Sequence, residues 1–143
     1  MRTIAVLITL FIGQIFQAQT EGDPEISVSV ENIKDDKGTV IFGIYSENTF
    51  MKAAPEFRAQ SEIVNGMASV TFKNVPSGTY AISCFHDKNN NSQMDFEPTG
   101  MPLEPYGISN NKINYYGPPI WEDSKFKLED ESLSMIIKLT NEL

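Results

Sequence analysis

The chain has 143 residues, of which 19 are acidic and 11 basic, so its formal net charge is −8. Nucleic acid and anionic lipid are poor partners for such an acidic protein, which suits an exported soluble protein or one that binds cations. The length corresponds to one domain, and a single cysteine, Cys84, excludes a disulfide within the chain, so the fold must rely on its hydrophobic core.

The N-terminal segment has the features of a secretory signal peptide. Arg2 gives it a positive start, an apolar run from Thr3 to Phe16 follows, and Ala18 supplies a small residue for cleavage. The apolar run is shorter than the roughly 20 residues of a bilayer span. We therefore predict a signal peptide at residues 1–18 and one domain at residues 19–143, exported to the periplasm or outside the cell, with no membrane span after cleavage. An uncleaved N-terminal anchor is the alternative.

The rest of the chain alternates apolar and polar residues in short runs, which indicates β-strands. The alternation predicts strands at Ile26 to Val30, Val40 to Tyr45, Ala68 to Phe72, Tyr80 to Phe85, Lys125 to Leu128 and Leu133 to Leu139, with a further short strand beginning at Val64. Apolar residues recur at helical spacing from Thr49 to Ala59, which predicts a short helix or an irregular excursion between strands. About seven short strands favour an all-β fold, a single antiparallel β-sandwich, with a barrel as the alternative.

A long loop over about residues 87–120 interrupts the series of predicted strands, and loops of that length usually carry function or are disordered. Its first part has the ligand spacing of a calcium loop, because Asp and Asn side chains alternate and hard cations need six to eight oxygen ligands. The predicted ligands are Asp87, Asn89, Asn91, Asp95, Glu97 and Glu104. An oxygen-only set favours calcium over zinc, and the neutral Asn ligands favour low affinity, of order 10⁻⁴–10⁻³ M. The alternative is a solvated Asn-rich turn that its own side chains cap.

The same region resembles a family of small exported bacterial proteins catalogued as domain of unknown function 2141. The family pattern is similar to P-x-G-x-Y-A, then H-D-x-N-x-N-G-x-x-D, then G-x-P-x-E-x-Y-G-x-S. The matching positions are Pro76, Gly78, Tyr80, Ala81, His86, Asp87, Asn89, Asn91, Asp95, Gly100, Pro102, Glu104, Tyr106, Gly107 and Ser109. The resemblance implies a β-sandwich domain in the cell envelope with no established activity, and its Pro-x-Gly-x-Tyr turn also looks prealbumin-like. Ser92 stands where the family has Gly, at a position that often needs a left-handed backbone.

His86 is the only histidine, and it should share a strand face with Ile82 and Cys84. It either braces the loop or acts as the base of a hydrolase for a glycan or ester, together with Asp87 or Glu104. The sequence offers no nucleophile to complete such a set, since Cys84 lies in an apolar strand and is expected to be buried and inert. Binding is therefore favoured over catalysis.

Four aromatic residues follow in the same loop, interleaved with prolines: Tyr106, Tyr115, Tyr116 and Trp121. They form either an exposed platform for a sugar or peptide partner, or a cover over one end of the sandwich. The sequence thus predicts an exported, calcium-stabilised β-sandwich that binds an unknown protein or glycan in the cell envelope. A purely structural envelope protein is a further alternative.

Overall fold

The computed structural model describes residues 22–140, and the predicted signal peptide at residues 1–18 lies outside this range. Within the described range, no helix is both long and apolar enough to cross a membrane. The strands there are β1 (Ile26–Val30), β2 (Thr39–Tyr45), β3 (Phe57–Glu62), β4 (Ala68–Phe72), β5 (Gly78–Asp87), β6 (Tyr106–Ile108), β7 (Phe126–Leu128) and β8 (Leu133–Ile137). A 3-10 turn (Ser109–Asn111) and the short helix α1 (Trp121–Ser124) lie between β6 and β7.

The strands form two packed sheets, which confirms the prediction of a β-sandwich. The smaller sheet has the order β4-β1-β8, and the larger has the order β3-β2-β5-β6, with β7 paired to the start of β5. One pair departs from the antiparallel pattern, because β8 runs parallel to β1 with Ile26 opposite Leu133. Since β7 and β8 belong to different sheets, the acidic residues 129–131 carry the chain across the sandwich and do not close a hairpin.

The main core lies between the sheets and is built from every second residue of the central strands. Its fully buried side chains include Ile26, Val28, Val30, Val40, Phe42, Ile44, Ile82 and Cys84. Burial raises the pKa of the Cys84 thiol to about 12. The thiol is therefore protonated and unreactive at neutral pH, as the strand pattern predicted.

A second, smaller core covers the outer face of the larger sheet beside α1. Phe50 is buried there with Ala81 and Ile108. The Phe50 ring centroid lies 6.0 Å from that of Tyr45 and 5.7 Å from that of Trp121. This aromatic cluster fixes the position of α1 and of the long loop that precedes it.

The segment from Thr49 to Ala59 forms the irregular excursion, not the short helix. A turn occupies residues 47–52, and β3 begins at Phe57. Pro55 has no backbone N–H to continue a helix, and it disfavours helical backbone in the residue before it. The last residues of this segment therefore belong to an edge strand that the sequence pattern did not predict.

Candidate ion-binding loop

The loop begins at the end of β5 with Asp87, whose side chain is only 1 % exposed. Its two carboxylate oxygens accept hydrogen bonds from the backbone N–H groups of Asn91 (3.2 Å) and Ser92 (2.9 Å). No ion-pair partner for Asp87 occurs among residues 22–140. The start of the loop therefore surrounds a buried carboxylate whose negative charge is stabilised by backbone N–H groups.

Asn89 and Asn91 place their side-chain amides against Asp95. The Nδ2 atom of each donates a hydrogen bond of 2.8 Å to one carboxylate oxygen of Asp95. Their Oδ1 atoms accept backbone N–H groups, Asn89 from Asn91 (3.3 Å) and Asn91 from Gln93 (3.1 Å). Three of the predicted ligands thus meet on the same side of the loop.

Glu104 enters this group from the far end of the loop and is buried. Its Oε1 accepts the N–H of Lys88 at 3.1 Å and its Oε2 accepts that of Asp95 at 3.3 Å. Burial raises the pKa of the Glu104 carboxyl, these two hydrogen bonds lower it, and the charges of Asp95 and Asp87 raise it again. The Glu104 carboxyl therefore lies within range of the charges of both Asp95 and Asp87.

Glu97 lies apart from this group. It belongs to a small hairpin in which Phe96 pairs with Pro102, and its Oε2 accepts the Thr99 hydroxyl at 3.3 Å. No group of three or more His, Cys, Asp or Glu side chains between residues 22 and 140 has the arrangement of a metal site. An ion in this loop would consequently need amide or backbone oxygens beside the carboxylates.

The backbone of the loop turns through left-handed conformations at Asn90 (φ 55°) and Ser92 (φ 63°). Ser92 therefore adopts the backbone for which calcium loops usually provide Gly, at a cost of about 1 kcal/mol. The carbonyl of Ser92 accepts a hydrogen bond of 2.7 Å from Nη2 of Arg58 on β3. The sequence reasoning missed Arg58; the available signal was that it is the only arginine besides Arg2.

His86 is 2 % exposed and makes main-chain hydrogen bonds on two sides. Its Nε2 lies 2.6 Å from the carbonyl oxygen of Lys37, and its backbone N–H donates to Pro105 at 2.9 Å. Gly38 follows Lys37 at φ +75°, so close to the loop that an added Cβ would lie 2.0 Å from the carbonyl oxygen of Asp87. The ring is therefore held between the turn before β2 and the end of the long loop, without open space for a substrate.

The four aromatic residues predicted to form a platform or a cover are divided between core and surface. Tyr106 and Trp121 are half-buried in the second core, whereas Tyr115 and Tyr116 are 79 % and 101 % exposed. Asn114 stabilises the turn that carries these two exposed rings, because its Oδ1 accepts the N–H of Tyr116 (3.1 Å) and its Nδ2 donates to the carbonyl of Pro118 (2.9 Å). Tyr115 and Tyr116 therefore lie on an ordered turn.

Three further exposed apolar side chains that the sequence reasoning did not single out lie in the hairpin beside the carboxylates. They are Phe96, Met101 and Leu103, each more than half exposed. Phe96 directly follows Asp95, and Leu103 directly precedes Glu104. In the sequence they could have been noticed as apolar residues within the stretch of the loop that is rich in Pro and Gly.

A family model described as "Uncharacterized protein conserved in bacteria (DUF2141)" matches residues 28–136 of the chain. The match spans β1 to β8 and includes the whole long loop. No curated protein and no solved structure matches the chain.

Proposed function

We propose, from the premise that this chain belongs to the DUF2141 family of uncharacterised bacterial proteins, that it is an exported binding domain of the cell envelope with a calcium-stabilised loop. The family description names no activity, so the proposal rests on the geometry of the loop. Its partner would be a protein or a glycan that contacts the exposed side chains beside the ion.

The observation that carries the proposal is that the buried Glu104 lies within range of the charges of both Asp87 and Asp95, with two side-chain amides placed on Asp95. Three carboxylates held together without a basic side chain repel one another, and a divalent cation relieves that repulsion. The Asn89 and Asn91 amides now turn their N–H groups toward Asp95. A rotation of either amide about its Cβ–Cγ bond presents an oxygen at the same place, which adds a neutral ligand to the set.

The exposed apolar side chains give the loop its partner surface. Phe96 and Leu103 are covalent neighbours of Asp95 and Glu104, so an ion that fixes these carboxylates also fixes the hairpin between them. The exposed rings of Tyr115 and Tyr116 present both an apolar face and a hydroxyl, a combination that suits sugars and peptides. Calcium would therefore act on partner binding by ordering the surface in advance.

The hydrolase alternative receives no support from the geometry. His86 is buried and its ring hydrogen-bonds to the carbonyl of Lys37. A general base must reach the proton that it removes from a substrate. A binding role makes no such demand on His86.

A thermal melt of the purified protein in calcium, magnesium or chelator tests the proposal. For a dissociation constant of about 10⁻³ M, about 10 mM calcium stabilises the native state by about 1.4 kcal/mol. For a domain of this size the corresponding rise in melting temperature is about 3–6 °C. Magnesium should give a smaller rise, because it prefers a smaller octahedral site and retains its water.

The matched variants are Asp95→Asn, which removes one ligand charge, and Asp130→Asn, which removes an exposed charge from the turn at residues 129–131. The first should abolish the calcium-induced rise, and the second should leave it intact. Equal melting temperatures of the unmodified protein in calcium and in chelator, with no calorimetric heat at millimolar calcium, would refute the ion site.

A further inference from the structure

Side chains occupy the outer polar groups of most sheet edges in the described part of the chain. On β8, the Asn111 side chain accepts the N–H of Lys138 at 2.8 Å and donates to the carbonyl of Ile136 at 3.2 Å. On β4, the N–H of Ser69 donates to the Ser61 hydroxyl at 3.3 Å. The outer edge of β6 is covered likewise, because the Tyr106 N–H donates to Thr140 Oγ1 at 3.3 Å.

The edge strand β3 is different, and the alternation of peptide groups along neighbouring strands shows why. On β5, the N–H groups of Ile82 and His86 point away from β2, to Ser109 Oγ and to the carbonyl of Pro105. By this alternation the peptide groups of Ser83 and Phe85 face β2. On β2, the partners of Ile82, Cys84 and His86 are Ile44, Phe42 and Val40, and their peptide groups therefore face β3.

The β3 residues that pair with these three are Ser61, Ala59 and Phe57. Arg58, Gln60 and Glu62 consequently direct their backbone N–H and C=O groups outward, and their side chains are exposed. Within residues 22–140 the outward peptide groups of Arg58 and Gln60 have no hydrogen-bond partner. This edge is therefore open for pairing with another strand.

We propose that β3 pairs with β3 of a second copy of this chain, antiparallel and about a two-fold axis at Gln60. In this register Gln60 lies opposite Gln60 of the second copy, and Arg58 lies opposite Glu62 of the second copy on both sides of the axis. All three positions have outward peptide groups, and each facing pair can form two backbone hydrogen bonds, with the carbonyl of Glu62 accepting a second bond beside that from the Ser61 hydroxyl (2.8 Å). The two larger sheets then join into one continuous sheet.

The charges of β3 select both the partner and the register. Opposite charges that face each other across an antiparallel pair attract, whereas like charges repel. An axis at Arg58 or at Glu62 would place like charges in contact, and an axis at Gln60 forms two opposite-charge pairs. A chain of net charge −8 repels its own copies in general. Arg58, whose Nη2 also donates to the carbonyl of Ser92, supplies a positive charge at the contact itself.

Sedimentation velocity of the purified protein over a concentration series tests this proposal. The unmodified protein should dimerise, and Glu62→Arg should raise the dissociation constant at least about tenfold, because it sets Arg against Arg twice. The double exchange of Arg58→Glu with Glu62→Arg should restore the dimer, since the opposite-charge pairs return with their order reversed. Lys127→Glu, which changes an exposed charge on β7, is the matched control and should leave the dimer unchanged.

A monomer at all concentrations up to several hundred micromolar would overturn the proposal, as would a dimer that Glu62→Arg does not weaken. Gln60→Pro serves if the charge variants do not fold, because it removes an outward N–H at the axis and no hydrogen bond to β2. A dimer that survives this change is not formed through β3. The calcium dependence of the melting temperature does not enter these outcomes, so the two proposals succeed or fail separately.

Discussion

Replacement of Gly38 by Ala is expected to disrupt the fold where the turn before β2 meets the ion-binding loop. Gly38 has φ +75°, and its new Cβ would lie 2.0 Å from the carbonyl oxygen of Asp87 and 2.9 Å from the Cα of Lys88. A left-handed backbone costs a non-glycine residue about 1–2 kcal/mol. Forcing backbone apart in a packed region costs about 1–3 kcal/mol more. We therefore expect Gly38→Ala to lower the free energy of unfolding by about 2–5 kcal/mol.

Gly100→Ala is the matched control, because Gly100 also has positive φ (+89°) and an added Cβ there meets nothing within 4 Å. It should show the backbone cost alone, about 1–2 kcal/mol. Urea unfolding followed by the fluorescence of Trp121, the only tryptophan, measures both variants. If Gly38→Ala costs no more than Gly100→Ala, the close approach of Gly38 to Asp87 is not part of the native structure in solution.

Two further predictions concern the loop carboxylates and the aromatic residues. Because the folded-state pKa of Glu104 is raised, its protonation favours the fold below the unfolded-state pKa, and this contribution is lost as pH rises through the folded-state pKa. In chelator, the melting temperature of the unmodified protein minus that of Glu104→Gln should therefore fall between about pH 4 and pH 7. A difference that stays constant over this range would contradict the reasoning. In urea unfolding followed by circular dichroism, since this variant lacks the tryptophan probe, Trp121→Ala should cost about 3 kcal/mol because it empties part of the second core. Tyr116→Ala should change the free energy of unfolding by less than about 0.5 kcal/mol, and equal losses would contradict the division of the rings.

The central strands could be predicted from sequence because their apolar residues alternate. In β1 the buried residues Ile26, Val28 and Val30 alternate with half-buried ones, and in β2 the alternate residues Val40, Phe42 and Ile44 belong to the main core. In β3 the inward residues are Phe57, Ala59 and Ser61, all half-buried and only two of them apolar, so the alternation is weak and it did not predict this edge strand. The parallel pairing of β8 with β1 was not predicted either, since pairing partners distant in sequence are set by how the sheets pack.

In the ion-binding loop, too, contacts between residues close in sequence could be predicted from spacing, whereas contacts between more distant residues could not. The structure links Asp87, Asn89, Asn91 and Asp95, whose spacing suggested a common site, through hydrogen bonds within the first part of the loop. Glu97 is close to them in sequence, but the pairing of Phe96 with Pro102 keeps its carboxylate within its own hairpin. Whether a carboxylate later in the chain returns to the group depends on the length and shape of the hairpin, which spacing alone does not determine.

The place of β8 in the smaller sheet has a consequence for the order of folding. The central strand of that sheet, β1, needs β8 on one side, and the two are separated by almost the whole chain. Pairings between such distant segments form slowly, because their loop-closure entropy is lost before the contacts are gained. The smaller sheet therefore stays incomplete until β8 has been synthesised. Until then, the edge of β1 that pairs with β8 stays open on the nascent chain.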